Sequence, residues 1–360
     1  MPTRRDILRA AAAAAAAMVA RPAAAAASPQ VVAPFLRDGL LPGLGRWSGH
    51  AAPDAHLDLP ARVHAVAMHP DAARCVAVAR RPGRFGVAVD LARFEQSLAF
   101  ESTPGRHFFG HGLFAGGGDL FLTTENDYEA GRGVIGVRDV RRGFRAVAEW
   151  PSGGVGPHDL VTSADGRTLI VANGGIDMRP DTGRAKLNEG LIASSIARIA
   201  IGSGRLEALT TLDEAMASLS IRHLAVLAEG AVAFGCQETE RDGMVRPLVG
   251  IVGIDGDRRW LEPPPGGWAV MAGYVGGVAA DEAGRLVAAT SPLGSLCGVW
   301  DAASGRCLAA VPLADCCAVA GLAQGFVMTG GHGGMVAIDG AEARPLLQAD
   351  IGFDNHLAVV

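Results

Sequence analysis

One phrase returns along this chain. HAVAMHPDAARCVAVARRPGRFGVAVD begins at His64, HDLVTSADGRTLIVANGG at His158 and GVAADEAGRLVAATSPLGSLCGVWD at Gly277. Each runs from an apolar stretch through a Gly or Asp-Gly turn into a second apolar stretch, then a polar loop. That is the signature of short antiparallel strands joined by tight turns. Related stretches start at His111, His223, Cys317 and His356, so successive starts lie 47, 47, 65, 54, 40 and 39 residues apart. Three or four strands per unit at roughly 40–50 residues is the period of a propeller. Seven starts predict an all-β fold, a seven-bladed β-propeller. The unit at His356 has room for one strand. Its outer strands are therefore predicted to come from about residues 30–60, so that N- and C-terminal strands pair and close the ring.

Composition agrees with short strands and tight turns. The chain has 49 glycines among 360 residues and no extended helical pattern. Its six cysteines show no CxxC or zinc-ribbon spacing, and only a Cys297–Cys307 bridge across one hairpin suggests itself. Residues 29–360 are expected to form a single domain. Before them, Thr3-Arg4-Arg5-Asp6-Ile7-Leu8-Arg9 precedes an alanine run and Ala-x-Ala choices near Ala25 to Ala27. This describes a twin-arginine (Tat) signal peptide over residues 1–28 and predicts a periplasmic protein. Removing it leaves 28 Lys and Arg against 36 Asp and Glu, a net charge of about −8. That balance argues against nucleic acid and anionic membrane surfaces as partners. No later stretch is apolar for the roughly 18 residues a membrane span needs, and a monomer is expected.

In a propeller the first strand of each blade lines the central channel. The register predicts that His64, His111, His158, His223 and His356 take one equivalent place in five of the seven blades, ringing one mouth. Gly277 and Cys317 fill the other two places. Two plainer readings are inherited structural histidines, as the pair Gly110-His111 suggests, and imidazoles bonded to channel water. The chemical reading is a metal centre. Imidazole nitrogens suit copper or zinc, and an added carboxylate opens iron. His107, in RHFFGHG, and Glu125 are second choices as ligands.

The loops of that face are the other candidates. TTENDYEAGRGVIGV is read as a loop whose Glu125 or Asp127 overhangs the histidines as ligand or general base. Asn173 occupies the matching place one blade on. The insertion MRPDTGRAKLNEGLIASS carries Arg184, Lys186 and Asn188, a group able to hold an anion or substrate carboxylate. Arg222 stands next to His223, where its charge would favour the neutral, ligating imidazole. His50, His56 and His69 are read as surface or packing residues.

The phrases GRHFFGHG, TTENDYEAGRGVIGV, GPHDL, VANGGI, GRAKLN, SIRHLA, GYVGGVA and DNHLAVV together resemble domain-of-unknown-function family 1513, over about residues 60–360. The resemblance implies an exported seven-bladed propeller, commonly encoded near imelysin-like iron-uptake proteins. It therefore implies a periplasmic place in metal handling, with such proteins as partners, and it carries over no catalytic residue. The chain departs from the family near its start, where SPQVVAPFLRDGLLPGLGRWSGH is interrupted by Gly and Pro. The reading that follows is a periplasmic propeller binding copper or iron, with zinc the further option, through its histidines. Two alternatives are a lactonase-like hydrolase, with a divalent ion on Glu125, Asp127 and Asn173, and a metal-free adaptor docking an iron-uptake partner.

Overall fold

Val76, Ala77, Val78 and Ala79 are wholly buried, as are Leu169, Ile170, Val171 and Ala172. Such unbroken apolar runs belong to strands covered on both faces, because neighbouring blades pack against each side. Outer strands read differently: Arg145–Pro151 is almost entirely exposed and carries Arg145 and Glu149 among its apolar residues. In the computed structural model, which describes residues 28–179, 187–188, 192–240 and 242–360, these strands form seven antiparallel sheets. The protein is a seven-bladed β-propeller.

Blade 1 runs from Val63–Met68 to Glu95–Glu101, blade 2 from Arg106–Ala115 to Arg145–Pro151, and blade 3 from Pro157–Thr162 to Arg205–Thr211. Blade 4 runs from Leu219–Val226 to Arg258–Trp260, blade 5 from Gly277–Ala280 to Cys307–Pro312, and blade 6 from Cys316–Gly321 to Glu342–Gln348. In each, consecutive strands pair and the first is innermost. Blade 7 takes three strands from Val31–Arg37, Leu41–Trp47 and Ala55–Asp58, and its inner edge is Gly352–Phe353 and Ala358–Val359 paired to Val31–Arg37.

The Gly-interrupted N-terminal stretch is thus a regular strand pair, with Val31 opposite Trp47 and Arg37 opposite Leu41. Its glycines seat rings. A Cβ on Gly43 would stand 2.5 Å from the Phe35 ring, and one on Gly45 would stand 2.4 Å from Trp47. Absence of side chains there is what lets Phe35 lie over the neighbouring strand and Trp47 fold back over its own.

The C-terminal segment is tied across to blade 1. The Arg62 guanidinium donates from Nε and Nη2 to Asp354 Oδ2 and Oδ1, both at 2.7 Å, while Asp354 is buried. Asp354→Ala is expected to lower stability by about 1–3 kcal/mol, towards the low end because Arg62 is partly solvated. An unchanged urea midpoint would contradict this. All six cysteines are free, so Cys297 and Cys307 form no bridge. Burial pushes the Cys297 thiol up to about 12. No helix among the described residues is long and apolar enough to cross a membrane. The twin-arginine segment, residues 1–27, lies outside the described residues, as do Arg184 and Lys186.

Candidate metal centre

Five inner strands carry a local irregularity near their starts. In blade 1, Val63 faces Ala79 and Ala65 faces Val78, so His64 is one residue too many for its partner strand. In blade 3, Pro157 faces Asn173 and Asp159 faces Ala172, which leaves His158 unpaired. Blade 6 does the same at Cys317, and blade 2 carries a longer irregularity between Phe108 and Gly112 that holds His111. Such bulges bend the strand and re-aim the extra side chain. Blade 7 reaches a similar result with a gap: His356 lies between its two short inner strands.

Blade 4 corrects the expected equivalence. Ile221 faces Cys236 and His223 faces Gly235, so Arg222 holds the bulge and His223 is the paired residue beyond it. The five histidines therefore do not share one register. They nonetheless come together. The imidazoles of His64, His158, His223 and His356 form a closed ring, with successive centroids 5.2, 5.0, 4.9 and 4.8 Å apart. His111 lies 4.8, 5.1, 5.7 and 4.7 Å from His64, His158, His223 and His356, touching all four. Gly110 makes room: its φ is +110°, and a Cβ there would stand 2.6 Å from the His64 side chain.

Two triads can hold an ion. The donor atoms of His64, His111 and His158 lie within 4.8 Å of one another, as do those of His111, His223 and His356. Ligands about 2.1 Å from one ion stand about 3.4 Å apart in a tetrahedron and about 4.2 Å apart across a plane. Side-chain shifts of at most about 1 Å would bring either triad to such spacing. His111 belongs to both. The unpartnered nitrogens fit the same chemistry. His64 Nδ1 and Nε2, His111 Nε2, His158 Nδ1, His223 Nδ1 and His356 Nε2 are buried without a hydrogen-bond partner. Leaving one such atom unsatisfied costs about 1–3 kcal/mol, so six together call for a ligand.

A residue the sequence reading overlooked orients the centre. Asp159, directly after His158, accepts from His111 Nδ1 at 2.9 Å and from the Leu224 amide at 3.0 Å. The bond places the His111 proton on Nδ1 and frees its Nε2 lone pair, the second-shell arrangement usual for metal-bound imidazole. Burial works to raise the Asp159 carboxyl, but the charge of His111 and their hydrogen bond hold it below the ordinary value. Burial drives His64, His158 and His356 well below the usual imidazole range and brings His223 down to about 3. The Arg222 charge adds to this at His158, and less at His223. Burial in turn lowers Arg222 to about 10.

The remaining candidates lie elsewhere. Glu125 is not in a loop. It is buried in the strand Leu120–Asp127, where it accepts from Arg138 at 2.8 Å and from Thr123 at 2.6 Å. Asp127 ends that strand and is held by Arg106 and Arg132 at 2.8 and 2.9 Å. Both carboxylates are thus engaged by guanidinium groups. Asn173 Nδ2 donates to the Ser152 carbonyl and Ser195 Oγ, a bracing role. Asn188 braces the backbone just after Asn173, donating to the Gly175 carbonyl and accepting from the Asp177 amide. His107 is buried within the inner strand of blade 2, not in a loop; its Nε2 lies 3.3 Å from Asn126 Nδ2. His50, His56 and His332 are exposed, and His69 packs on Phe114.

No curated protein matches the chain in sequence. Among solved structures it is similar to a chain of hydrazine synthase from Kuenenia stuttgartiensis, at 15% identity and a TM-score of 0.64. The match covers 89% of this chain and 99% of that one, and at this identity it speaks to the fold alone. The family model is more specific. It matches residues 57–360, the span that holds all five clustered histidines, and the chain belongs to the family described as Protein of unknown function (DUF1513).

Proposed function

We propose that this protein is a periplasmic metal-binding propeller that holds copper at the five-histidine cluster and serves in metal acquisition or handling. One observation carries the reading: five histidines close on one another so that their donor atoms form two triads, and six of their buried ring nitrogens have no hydrogen-bond partner. The donors available are nitrogen. Asp159 is turned to His111, and Glu125 and Asp127 to arginines, so the carboxylate an iron site ordinarily takes is not free here. That ranks copper first, zinc next and iron last. The same engagement of Glu125, Asp127 and Asn173 removes support from a lactonase-like hydrolase built on them. Periplasmic residence rests on the twin-arginine leader, and iron-uptake partners rest on the family resemblance.

Elemental analysis of protein purified from its own cells without chelator, beside the His158→Ala/His223→Ala double variant, tests the reading. Stoichiometric copper that disappears in the variant supports it, and fractionation of the same cells tests the compartment. A wild type that is metal-free and takes up neither copper, zinc nor iron on reconstitution would sink it in favour of a metal-free adaptor.

A further inference from the structure

Two properties of the histidine cluster limit the ion it can hold. The first is the number of donors. Each triad brings three imidazole nitrogens within 4.8 Å of one another, and among the described residues no fourth histidine, cysteine or carboxylate joins either group. Divalent copper favours a tetragonal array of four or more donors. A filled d shell imposes no such geometry, so copper(I) accepts three nitrogens.

The second is charge. Arg222 takes the bulge of blade 4, next to His223, and is only 3% exposed. Gly174 makes room for it, since a Cβ there would stand 3.3 Å from the Arg222 guanidinium carbon. Its Nε has no hydrogen-bond partner. The groups that act on its charge are Tyr274 and Cys236, a phenol and a thiol rather than carboxylates. That charge is felt at His158 and His223. The carboxylate at the cluster is Asp159, 2.9 Å from His111 Nδ1 and 3.9 Å from His223 Nδ1. Asp159 and Arg222 cancel, and the imidazoles themselves are neutral. An ion held there keeps its whole charge uncompensated inside the protein. The cost of such burial rises with the square of the charge, so a divalent ion meets about four times the penalty of a monovalent one.

We propose that the cluster is a copper(I) site and that Arg222 sets its preference for the monovalent ion. The inference rests on the copper reading above and deepens it by naming the charge state of the cargo. Arg222 coordinates nothing. It acts through the field it adds at His158 and His223, which opposes each further unit of charge on the ion. The ligands are the same for both oxidation states, and the discrimination comes from the residue beside them.

Competition titrations of the full-length protein test this, with copper(I) set against a cuprous chelator without oxygen and copper(II) against a cupric chelator. Copper(I) is expected to bind more tightly than copper(II) by about a hundredfold or more. Arg222→Met removes the charge and should narrow that preference by about tenfold or more, mainly by tightening copper(II). Arg222→Gln serves if the methionine variant folds poorly, and Arg222→Lys, which keeps the charge, should keep most of the preference. Zinc(II), divalent and without redox chemistry, should also bind the uncharged variants more tightly than the wild type. Copper(II) held as tightly as copper(I), or a preference that loss of the Arg222 charge leaves unchanged, overturns this inference while the metal reading stands. A protein that takes up copper in neither state removes the metal reading, and the inference with it.

Discussion

His111→Ala is expected to abolish the metal centre, lowering affinity by more than about a hundredfold, while His64→Ala or His356→Ala costs less. The reason is position. His111 is common to both triads, so its loss removes a donor from each, whereas His64 and His356 each belong to one. Asp159→Asn leaves every ligand in place but disturbs the acceptor that puts the His111 proton on Nδ1. It should fall between, at about ten- to a hundredfold. Competition with a chelator of known affinity measures all four variants on one scale. Equal losses for His111→Ala and His356→Ala would mean that the ions sit on some other subset of the cluster.

Acid should unfold the metal-free protein steeply. In the folded state His64, His158, His356 and His223 are held neutral far below the ordinary imidazole value, His223 at about 3. In the unfolded chain each regains a pKa of about 6.5. Below that value the unfolded chain binds protons that the native protein refuses. The stability tied to these groups is therefore fully present above about pH 6.5 and is lost as pH falls towards the native values. Four such protons correspond to a slope of up to roughly 5 kcal/mol per pH unit, against a typical total stability of about 5–15 kcal/mol. Thermal melts of the chelated protein between pH 8 and pH 5 should show Tm collapsing below about pH 6.5. A saturating ion, which needs the neutral imidazoles, should move that collapse to lower pH. A Tm flat to pH 5 in the chelated protein would show that the cluster accepts protons without strain.

The blades were legible in the sequence because their middle strands are buried on both faces. Val76 to Ala79 and Leu169 to Ala172 read as unbroken apolar runs, and Asp-Gly turns bound them. The histidine cluster was legible through its recurrence. What escaped is what depends on pairing. A bulge is a mismatch in residue count between two strands, invisible until both are aligned, so the exchange of roles between Arg222 and His223 left no trace in the spacing. Glu125 and Asp127 looked like a solvent loop because TTEND is polar. Their partners, Arg138, Arg106 and Arg132, satisfy them from neighbouring strands and so permit polar residues in a buried strand. Asp159 was passed over for a related reason. It continues an inner strand in sequence, and only the fold brings His111 of the previous blade to its carboxylate.

The bulges have a consequence for how such a protein can change. A residue in excess of its partner strand contributes nothing to the ladder on either side, so its replacement leaves the sheet's pairing intact. Blades 1, 3, 4 and 6 already show this freedom, with His64, His158, Arg222 and Cys317 at that point of otherwise similar strands. Substitution there alters the chemistry of the channel mouth at little cost to folding. The scaffold thus separates two kinds of selection, one acting on the blades and one on the centre.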